Sequence, residues 1–402
     1  MKRLLSILAA VLCSAGISMA AIPLITGPLP PSDIIGSLNG LIQTLNSNAF
    51  TQGLLAPNNF RNLLDNGAMQ VQQRGTGAAT CATTSAAASA NYGADRWVCD
   101  VNVTSGAGQL TAISSSPTPP TGFKYAQKLA RNSGALTQPQ CVWQEIPSAD
   151  VITTQGQSVT FSWYDQALAG LAADNGNVIN AYIVYGTGTD EGFGTWTASP
   201  AITPAFTGVN SSATAAFTIS ATQWLRHSLT AVMPVTATEA AVALCFTPTA
   251  TGAGATDGFA FTGAQFEVGS NPSPYEFKPY AIEQLKAYRY AYTLTEPAAN
   301  IIMAQGQSAS TTLCSVMVQF PATMAKAPTF TALGTALSNA TWKVNQAAQN
   351  LALATTYLVT LVGNSTSTAQ LTATTAASQT AGWGCQLVGA GGGSILMFSA
   401  DF

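Results

Sequence analysis

The sequence predicts an all-β protein made of two-sheet sandwiches. Between residues 60 and 280, apolar residues alternate with small polar ones, as Val159, Phe161 and Trp163 do among Ser and Thr neighbours. Clusters of Gly, Pro, Asn and Ser separate this run from others such as 241–246. Alternating runs that are broken by turn residues are typical of antiparallel sandwiches.

The composition argues against several classes of protein. Only 8% of the 402 residues are charged, compared with about 25% in ordinary soluble domains. The mean hydropathy of +0.23 is too low for a bundle of membrane helices. The net charge of −3, with no basic run beyond the first three residues, argues against nucleic acid as a partner. Ser, Thr, Asn, Gln and Gly must supply most of the polar surface, as in long-lived extracellular assemblies.

The first twenty residues have the pattern of a secretory leader. Lys2 and Arg3 precede the apolar run 4–12, and Ser18 and Ala20 are small residues at the right spacing for cleavage. If this signal peptide is cleaved, the protein is secreted. The alternative is a retained apolar tail that packs inside an assembly.

Residues 21–58 predict an attachment segment. Residues 22–31 contain four of the prolines and should be extended. A short amphipathic helix follows, whose apolar residues repeat at alternating spacings of three and four. These residues, which we call the seam, are Ile35, Leu38, Ile42 and Leu45. The helix either lies on the sandwich or forms a three-helix stalk in a homotrimer.

Residues 293–402 predict a second, smaller β domain. Leu313, Val316 and Val318 form an alternating run, and the chain ends on an apolar strand over 395–402. A terminal apolar strand needs a pairing partner, which a neighbouring copy could supply.

Six cysteines remain once the leader and Cys13 are set aside. Either all are buried free thiols or they form disulfides. Cys314 and Cys385 share the last domain and would pair with each other. Cys81 and Cys99 would fasten the Ala-rich tract 78–90, expected as a surface loop, which leaves Cys141 and Cys245. The absence of a Cys-x-x-Cys spacing argues against zinc, and we expect no metal or cofactor.

The residues for catalysis are scarce. His227 is the only histidine, which argues against a histidine-based triad or a multi-histidine metal site. Asp95 is expected to form a structural ion pair with Arg96. Residues 174–177 resemble a calcium loop but lack the later bidentate Glu, so we expect a hairpin turn there. We therefore expect a protein that is not an enzyme.

A loop over 186–200 is the candidate binding site. Aromatic rings stack against the C–H faces of sugars, and carboxylates accept hydrogen bonds from hydroxyl groups. The candidate ligand-binding residues are Tyr185, Asp190, Glu191, Phe193 and Trp196. Two alternatives stay open: Trp196 could be a core residue of a strand, and Asp190–Glu191 could be half of a glycosidase pair. We expect Trp97, Trp143 and Trp163 in the core.

The segment 261–292 resembles the end of the jelly-roll domain found in many bacteriophage tail-fibre and other virion proteins. That pattern is roughly "-GAQLE-G--ATPFE-RPY-EEL--CQRYY"; the family's Cys is absent, and Ala287 and Tyr288 stand there. The matching residues are Gly263, Ala264, Gln265, Glu267, Gly269, Pro274, Glu276, Pro279, Tyr280, Glu283, Leu285, Arg289 and Tyr290.

Earlier motifs match in the same order, so the likeness covers about residues 60–292. Residues 62–67 with 73–75 resemble "NLL-NG-F--WQRG", residues 94–97 resemble "ADRW", and residues 157–163 resemble "GKTVTLSFW". In the last domain, residues 318–329 resemble the "V-FP--M--APT" segment of phage fibres. Related carbohydrate-binding jelly rolls share parts of this pattern.

The residue patterns and the resemblance together divide the chain into an apolar leader or retained tail over 1–20, a Pro-rich segment with a short helix over 21–58, a jelly-roll domain over 59–292 and a β domain over 293–402. The resemblance implies the jelly-roll domain. It implies a tail-fibre-like or capsid-fibre-like virion protein for host attachment. Its partners would be its own copies, other virion proteins through the N-terminal segment, and a host-surface glycan or protein. The alternatives are a secreted bacterial carbohydrate-binding or adhesion protein and, third, a glycan depolymerase.

We predict that the seam supports a homotrimer. Ile35→Asp together with Ile42→Asp would place charge among packed apolar residues and should weaken assembly. Native mass spectrometry of the intact protein measures this. A monomeric mass for the unaltered chain would contradict the trimer.

Overall fold

A computed structural model describes residues 61–74, 79–81, 92–101, 108–131, 137–191, 206–249, 257–295, 301–333, 342–346, 349–352, 359–376, 378–389 and 395–401. These residues confirm the predicted all-β class, a jelly-roll sandwich followed by a smaller β domain. The predicted leader and the seam lie outside them.

The first sandwich comprises eleven of the described strands. They are β1 (Ala79–Cys81), β2 (Val98–Val101), β3 (Gly108–Ile113), β4 (Ala126–Arg131), β5 (Gln140–Ile146), β6 (Ser158–Ala167), β7 (Val178–Gly186), β8 (Asn210–Thr218), β9 (Leu225–Val232), β10 (Glu239–Phe246) and β11 (Gly258–Val268).

Two antiparallel sheets form this sandwich. One has the order β1-β3-β4-β11-β6-β9 and the other has the order β2-β5-β10-β7-β8. Their inward residues alternate with outward ones, as the strand period of two requires. The core between them contains large aromatic side chains with almost no exposed surface, including Trp97, Trp163, Phe161, Phe259 and Phe261. The core assignments of Trp97 and Trp163 are therefore confirmed.

The second β region contains ten described strands. They are β12 (Ala291–Thr295), β13 (Ile302–Ser308), β14 (Leu313–Gln319), β15 (Thr329–Leu333), β16 (Trp342–Gln346), β17 (Gln349–Ala352), β18 (Val359–Asn364), β19 (Thr368–Thr374), β20 (Gly384–Gly389) and β21 (Ile395–Ser399).

These strands form a three-stranded sheet, β12-β21-β15, and a seven-stranded sheet, β17-β16-β20-β13-β14-β19-β18. Their core includes Trp342, Leu371, Leu387 and Phe398. The terminal apolar strand β21 pairs with β12 on one side and β15 on the other. It is therefore satisfied within one chain, and it no longer argues for a partner copy.

Helices are few among the described residues. They are α1 (Ser148–Val151), which continues into a 3-10 turn (Ile152–Thr154), α2 (Leu171–Asn175) and α3 (Tyr280–Tyr288). In the described part of the chain, none of these helices has the length and apolar content needed to cross a membrane.

The segment expected as a hairpin turn is instead the end of helix α2. Gly176 and Asn177 adopt left-handed conformations (φ 74° and 63°), which end a helix. The Asp174 carboxylate accepts a hydrogen bond from the Thr249 backbone N–H at 2.9 Å. It also lies 3.8 Å from the buried Arg131 guanidinium. The hairpin prediction was wrong because the role of Asp174 depends on residues distant in sequence.

The first sandwich is closed by hydrogen bonds between its two ends. The Asn62 side chain donates to the Ala264 carbonyl at 3.0 Å and accepts from the Phe266 backbone N–H at 3.0 Å. The Asn62 backbone N–H donates to Glu276 at 2.8 Å, and Lys278 donates to the Asn62 carbonyl at 2.7 Å. The opening and closing motifs of the resemblance are therefore in direct contact.

A buried arginine links both β regions. Arg96 has φ 73°, and its guanidinium donates to the Glu145 carbonyl at 2.8 Å. The same group lies over the Tyr290 ring at 3.6 Å from the centroid and 3.7 Å from both Asp65 and Asp401. Burial alone would lower the pKa of Arg96, but Tyr290, Asp65 and Asp401 raise it. The side chain is therefore charged and compensated.

The predicted ion pair between Asp95 and Arg96 was wrong. Asp95 instead accepts hydrogen bonds from the backbone N–H and the side-chain amide of Gln73, at 3.1 and 2.5 Å. Arg74 forms the second ion pair of Asp401. The neighbours Asp95 and Arg96 therefore bind different partners, because the chain turns sharply at Arg96.

Three disulfides join the six cysteines of the sequence analysis. Cys81 is bonded to Cys99 and Cys141 to Cys245, with Cα–Cα distances of 5.2 and 4.1 Å. The third bond joins Cys314 on β14 to Cys385 on β20, with a Cα–Cα distance of 6.0 Å. Each bond ties two strands of the same β region.

We predict that the Cys314–Cys385 bond stabilises the second β region. It closes a loop with a sequence separation of 71 residues, which the chain-entropy model values at about 4 kcal/mol. The double change Cys314→Ser and Cys385→Ser should lower the free energy of unfolding, and urea titration measures the difference. Two free thiols in the unaltered protein, found by non-reducing peptide mapping, would contradict the prediction.

Candidate functional site

The structure describes three of the five candidate ligand-binding residues. Tyr185 lies on β7, is partly buried and packs against the main core. Asp190 is exposed at φ 49° and accepts a hydrogen bond from the Ser148 backbone N–H at 2.8 Å. Phe193 and Trp196 lie outside the described residues.

Glu191 and Glu239 fasten the start of this loop. Glu191 accepts hydrogen bonds from the Thr207 hydroxyl at 2.7 Å and from its backbone N–H, and these bonds lower the pKa of Glu191. Glu239, on β10, accepts from the backbone N–H groups of Gly188 and Glu191 at 3.1 and 3.0 Å. Burial raises the pKa of Glu239 to about 7. These two side chains are positioned to hold the loop.

Glu145 is a third carboxyl group near this end of the five-stranded sheet. Its side chain is buried, and neither carboxylate oxygen accepts a hydrogen bond in the part of the chain that the structure describes. Burial raises the pKa of Glu145 well above its usual range, and the nearby charges of Glu239 and Asp190 add to the rise, while Arg96 opposes it. The surroundings of Glu145 therefore disfavour its charged form.

These carboxyl groups do not form a metal centre. Among the described residues, no group of three or more His, Cys, Asp or Glu side chains is placed to hold a metal ion.

The outward face of the five-stranded sheet carries its own apolar cluster. Trp143 and Tyr182 lie on either side of Ala243 in neighbouring strands and are both buried. Trp143 is therefore buried as expected, but in this outer cluster rather than between the two sheets.

His227 forms a dyad with a buried aspartate. Its Nδ1 lies 2.8 Å from Asp165 Oδ2, and Trp163 Nε1 donates to the same oxygen at 2.6 Å. Burial raises the pKa of Asp165, while the contacts with His227 and Trp163 lower it. The sequence placed His227 on a strand without identifying this partner, which lies 62 residues away.

A cluster of aromatic rings on the outward face of the six-stranded sheet was not predicted. We call it the aromatic platform: Phe123, Tyr164, Tyr275 and Phe277. The Phe123 centroid lies 5.4, 5.1 and 5.0 Å from those of Tyr164, Tyr275 and Phe277. Phe277 is 52% exposed. The inner rings therefore support an outer ring that is open to solvent.

A glycine allows these rings to approach the sheet. Gly263 has φ 60° at a bulge in β11, and a Cβ built there would lie 2.7 Å from the Phe123 ring and 2.9 Å from the Tyr164 ring. Any other residue would push the rings away. A local steric constraint therefore explains why the "GAQ" motif has a glycine at position 263.

Hydrogen-bonding groups border the platform. Arg226 donates to the Ser162 hydroxyl at 3.0 Å and to the Ser273 carbonyl at 2.5 Å, and its guanidinium lies 5.7 Å from the Tyr164 centroid. Lys124 is exposed beside Phe123. The alternation of Tyr275 and Phe277 in the closing motif is a sequence signal that could have indicated one edge of this cluster.

No protein-family model matches the chain, and no curated protein matches it. The enzymatically active domain of tailspike protein 4 of bacteriophage CBA120 is similar over 52% of this chain and 21% of that chain, with 11% identity and a TM-score of 0.31. The CBM22-1 xylan-binding domain of Paenibacillus barcinonensis Xyn10C is similar over 52% of this chain and 96% of that one, with 10% identity and a TM-score of 0.28. The C-terminal family 22 carbohydrate-binding module of Clostridium thermocellum Xyn10B is similar over 44% and 89%, with 13% identity and a TM-score of 0.27.

We predict that Glu239 makes stability depend on pH. Its folded-state pKa of about 7 lies above the ordinary value of 4.5. The stability that its proton contributes is therefore complete below about pH 4.5 and is lost as the pH rises through 7. The free energy of unfolding should fall more across this window in the unaltered protein than in Glu239→Gln.

Urea titrations across the window measure this difference, with Asp190→Asn on the same loop as the control variant. Parallel pH profiles for the unaltered protein and Glu239→Gln would show that the prediction is wrong.

Proposed function

We propose that this chain is a virion attachment protein that binds a host-surface glycan without changing it chemically. The observation that carries the proposal is the aromatic platform, whose outer ring, Phe277, is half exposed and supported by Phe123 and Tyr275.

The platform has the chemistry that sugars require. An exposed ring offers an apolar face for the C–H groups of a pyranose, and surrounding polar groups fix its orientation. Here the exposed amine of Lys124 and the guanidinium of Arg226 supply donors for hydroxyl or carboxylate groups of a glycan. The inner rings of Phe123 and Tyr275 contact Phe277 in tilted and edge-to-face arrangements and hold it in place, so little conformational freedom is lost on binding.

The virion setting rests on the sequence. The motifs that resemble phage fibre domains occur in the family's order, and Asn62 and Glu276, from the opening and closing motifs of the first sandwich, are hydrogen-bonded to each other. The alternative of a secreted carbohydrate-binding protein is favoured by the leader pattern over 1–20. Intact-mass measurement of the mature chain separates the two, because a secreted protein loses this leader.

We predict that Phe277→Ala weakens binding of purified protein to host-surface polysaccharide by about tenfold, as expected for loss of an aromatic anchor. Surface plasmon resonance measures the affinity. Val235→Ala is the matched control, because Val235 is also an exposed apolar residue of the first sandwich but lies away from the platform.

Equal affinity for Phe277→Ala and the control would remove the platform as the contact site. Thermal unfolding of both variants checks that the fold is unchanged. The release of sugar fragments from the polysaccharide by the purified protein would overturn the non-enzymatic part of the proposal and favour a depolymerase.

A further inference from the structure

We propose a second glycan-binding surface on the outward face of the seven-stranded sheet, selective for uncharged glycans. Resting on the proposed attachment function, this inference adds a site and a ligand class. We call the surface the amide face; its residues are Asn345, Gln386, Gln305, Met317 and Gln370.

Strand register places these residues in one row. Asn345 on β16 pairs with Gln386 on β20, which pairs with Gln305 on β13. Gln305 pairs in turn with Met317 on β14, and Met317 with Gln370 on β19. The row therefore crosses five strands, at a strand spacing of about 4.8 Å. Its amides therefore lie one strand spacing apart, except that Met317 separates Gln305 from Gln370.

Three side chains of this row are available to a ligand, because Gln305, Met317 and Gln370 are exposed. Asn345 and Gln386 are half-buried: the Asn345 amide donates to the Gln386 side-chain oxygen at 3.5 Å, and Asn345 Oδ1 is buried. The Gln305 amide makes no hydrogen bond within the described ranges. Gln370 donates to the Ser315 hydroxyl at 2.7 Å, which leaves its carbonyl oxygen for another donor.

The opposite side of the same strands packs into the core. Their inward residues, such as Val316, Leu371 and Leu387, form the core of the second β region. The outward amides are therefore not needed for packing within the sheet.

A second row lies beside the first and contains one amide and three hydroxyl groups. Gln307 pairs with Ser315, which pairs with Thr372, which pairs with Thr360. The hydroxyls of Thr360 and Thr372 lie 2.8 Å apart. Like an amide, a hydroxyl group both donates and accepts, so the two rows together present a flat polar surface.

The near absence of charge on the amide face indicates which glycans it would bind. Lys343 is the only charged residue in the seven strands that the structure describes. Amides and hydroxyls match the hydroxyl groups of a neutral sugar, each of which also donates and accepts. An acidic glycan would have to desolvate its carboxylates beside a surface that offers a single cation. The amide face therefore favours neutral glycans, whereas Arg226 and Lys124 leave the platform able to bind acidic ones.

An exposed tryptophan lies at one end of the sheet. Trp383 is 55% exposed and directly precedes β20. Its carbonyl accepts a hydrogen bond from the Ser308 backbone N–H at 2.8 Å, and Gln307 donates to the adjoining Gly382 carbonyl at 2.8 Å. These bonds fix the backbone of the turn, and the exposed indole is available for stacking beside Gln307.

The test uses the full-length protein on a printed panel of neutral and acidic glycans, followed by titration with the bound soluble polysaccharide. The double variant Gln305→Glu and Gln370→Glu adds two charges without changing side-chain length. It should reduce binding to neutral glycans by about tenfold or more, because the Gln305 amide donor is lost and two carboxylates would have to be desolvated beside the sugar. Gln223→Glu, an exposed glutamine of the first sandwich, is the control and should bind normally.

The outcomes also separate this surface from the platform. Loss of neutral-glycan binding in the double variant, but not in Phe277→Ala, supports the amide face whether or not the platform binds. Loss in Phe277→Ala alone, or a panel on which no neutral glycan binds, overturns it. Dimerisation that the double variant abolishes, detected by sedimentation in the absence of sugar, would assign the face to a second copy instead and also overturn it.

Discussion

The buried charge of Arg96 is the constraint on which the rest of this structure depends. A guanidinium taken out of water is costly unless every part of it is compensated. Here the compensation comes from the opening motif through Asp65, from β5 through the Glu145 carbonyl, and from beyond helix α3 through Tyr290. The last contribution is Asp401, at the far end of the second β region. Both β regions must therefore be folded before this charge is satisfied.

Two surfaces with different chemistry are built on that frame. The platform is aromatic and bordered by cations, and it exists because a bulge and Gly263 let rings lie against an outward sheet face. The amide face is almost uncharged, and it follows from the alternation of outward side chains along strands whose other side is core.

The sequence predicted the structure correctly where the structure follows from the local pattern of residues. Alternation identified the strands, and the tryptophans at 97 and 163 were placed in the core. Prediction from the sequence failed where a side chain depends on distant partners. Arg96 was assigned to its neighbour Asp95, whereas one of its partners is Asp401, far away in the chain. Asp174 was assigned to a hairpin turn, whereas it accepts a hydrogen bond from Thr249. The platform was missed for the same reason, since Phe123 and Tyr275 meet only across the sheet. Apolar β21 was expected to need another copy because pattern shows that a strand is apolar but not which strands flank it.

The scarcity of charge on the seven-stranded sheet has a consequence for the conditions in which the protein can work. Ion pairs weaken as ionic strength rises, because the Debye length shrinks from about 30 Å in 0.01 M salt to about 3 Å in 1 M salt. Contacts between amides and hydroxyls have no such dependence. With Lys343 as the single titratable side chain among these described strands, adhesion through them would be nearly the same in fresh water, in body fluids and in brine.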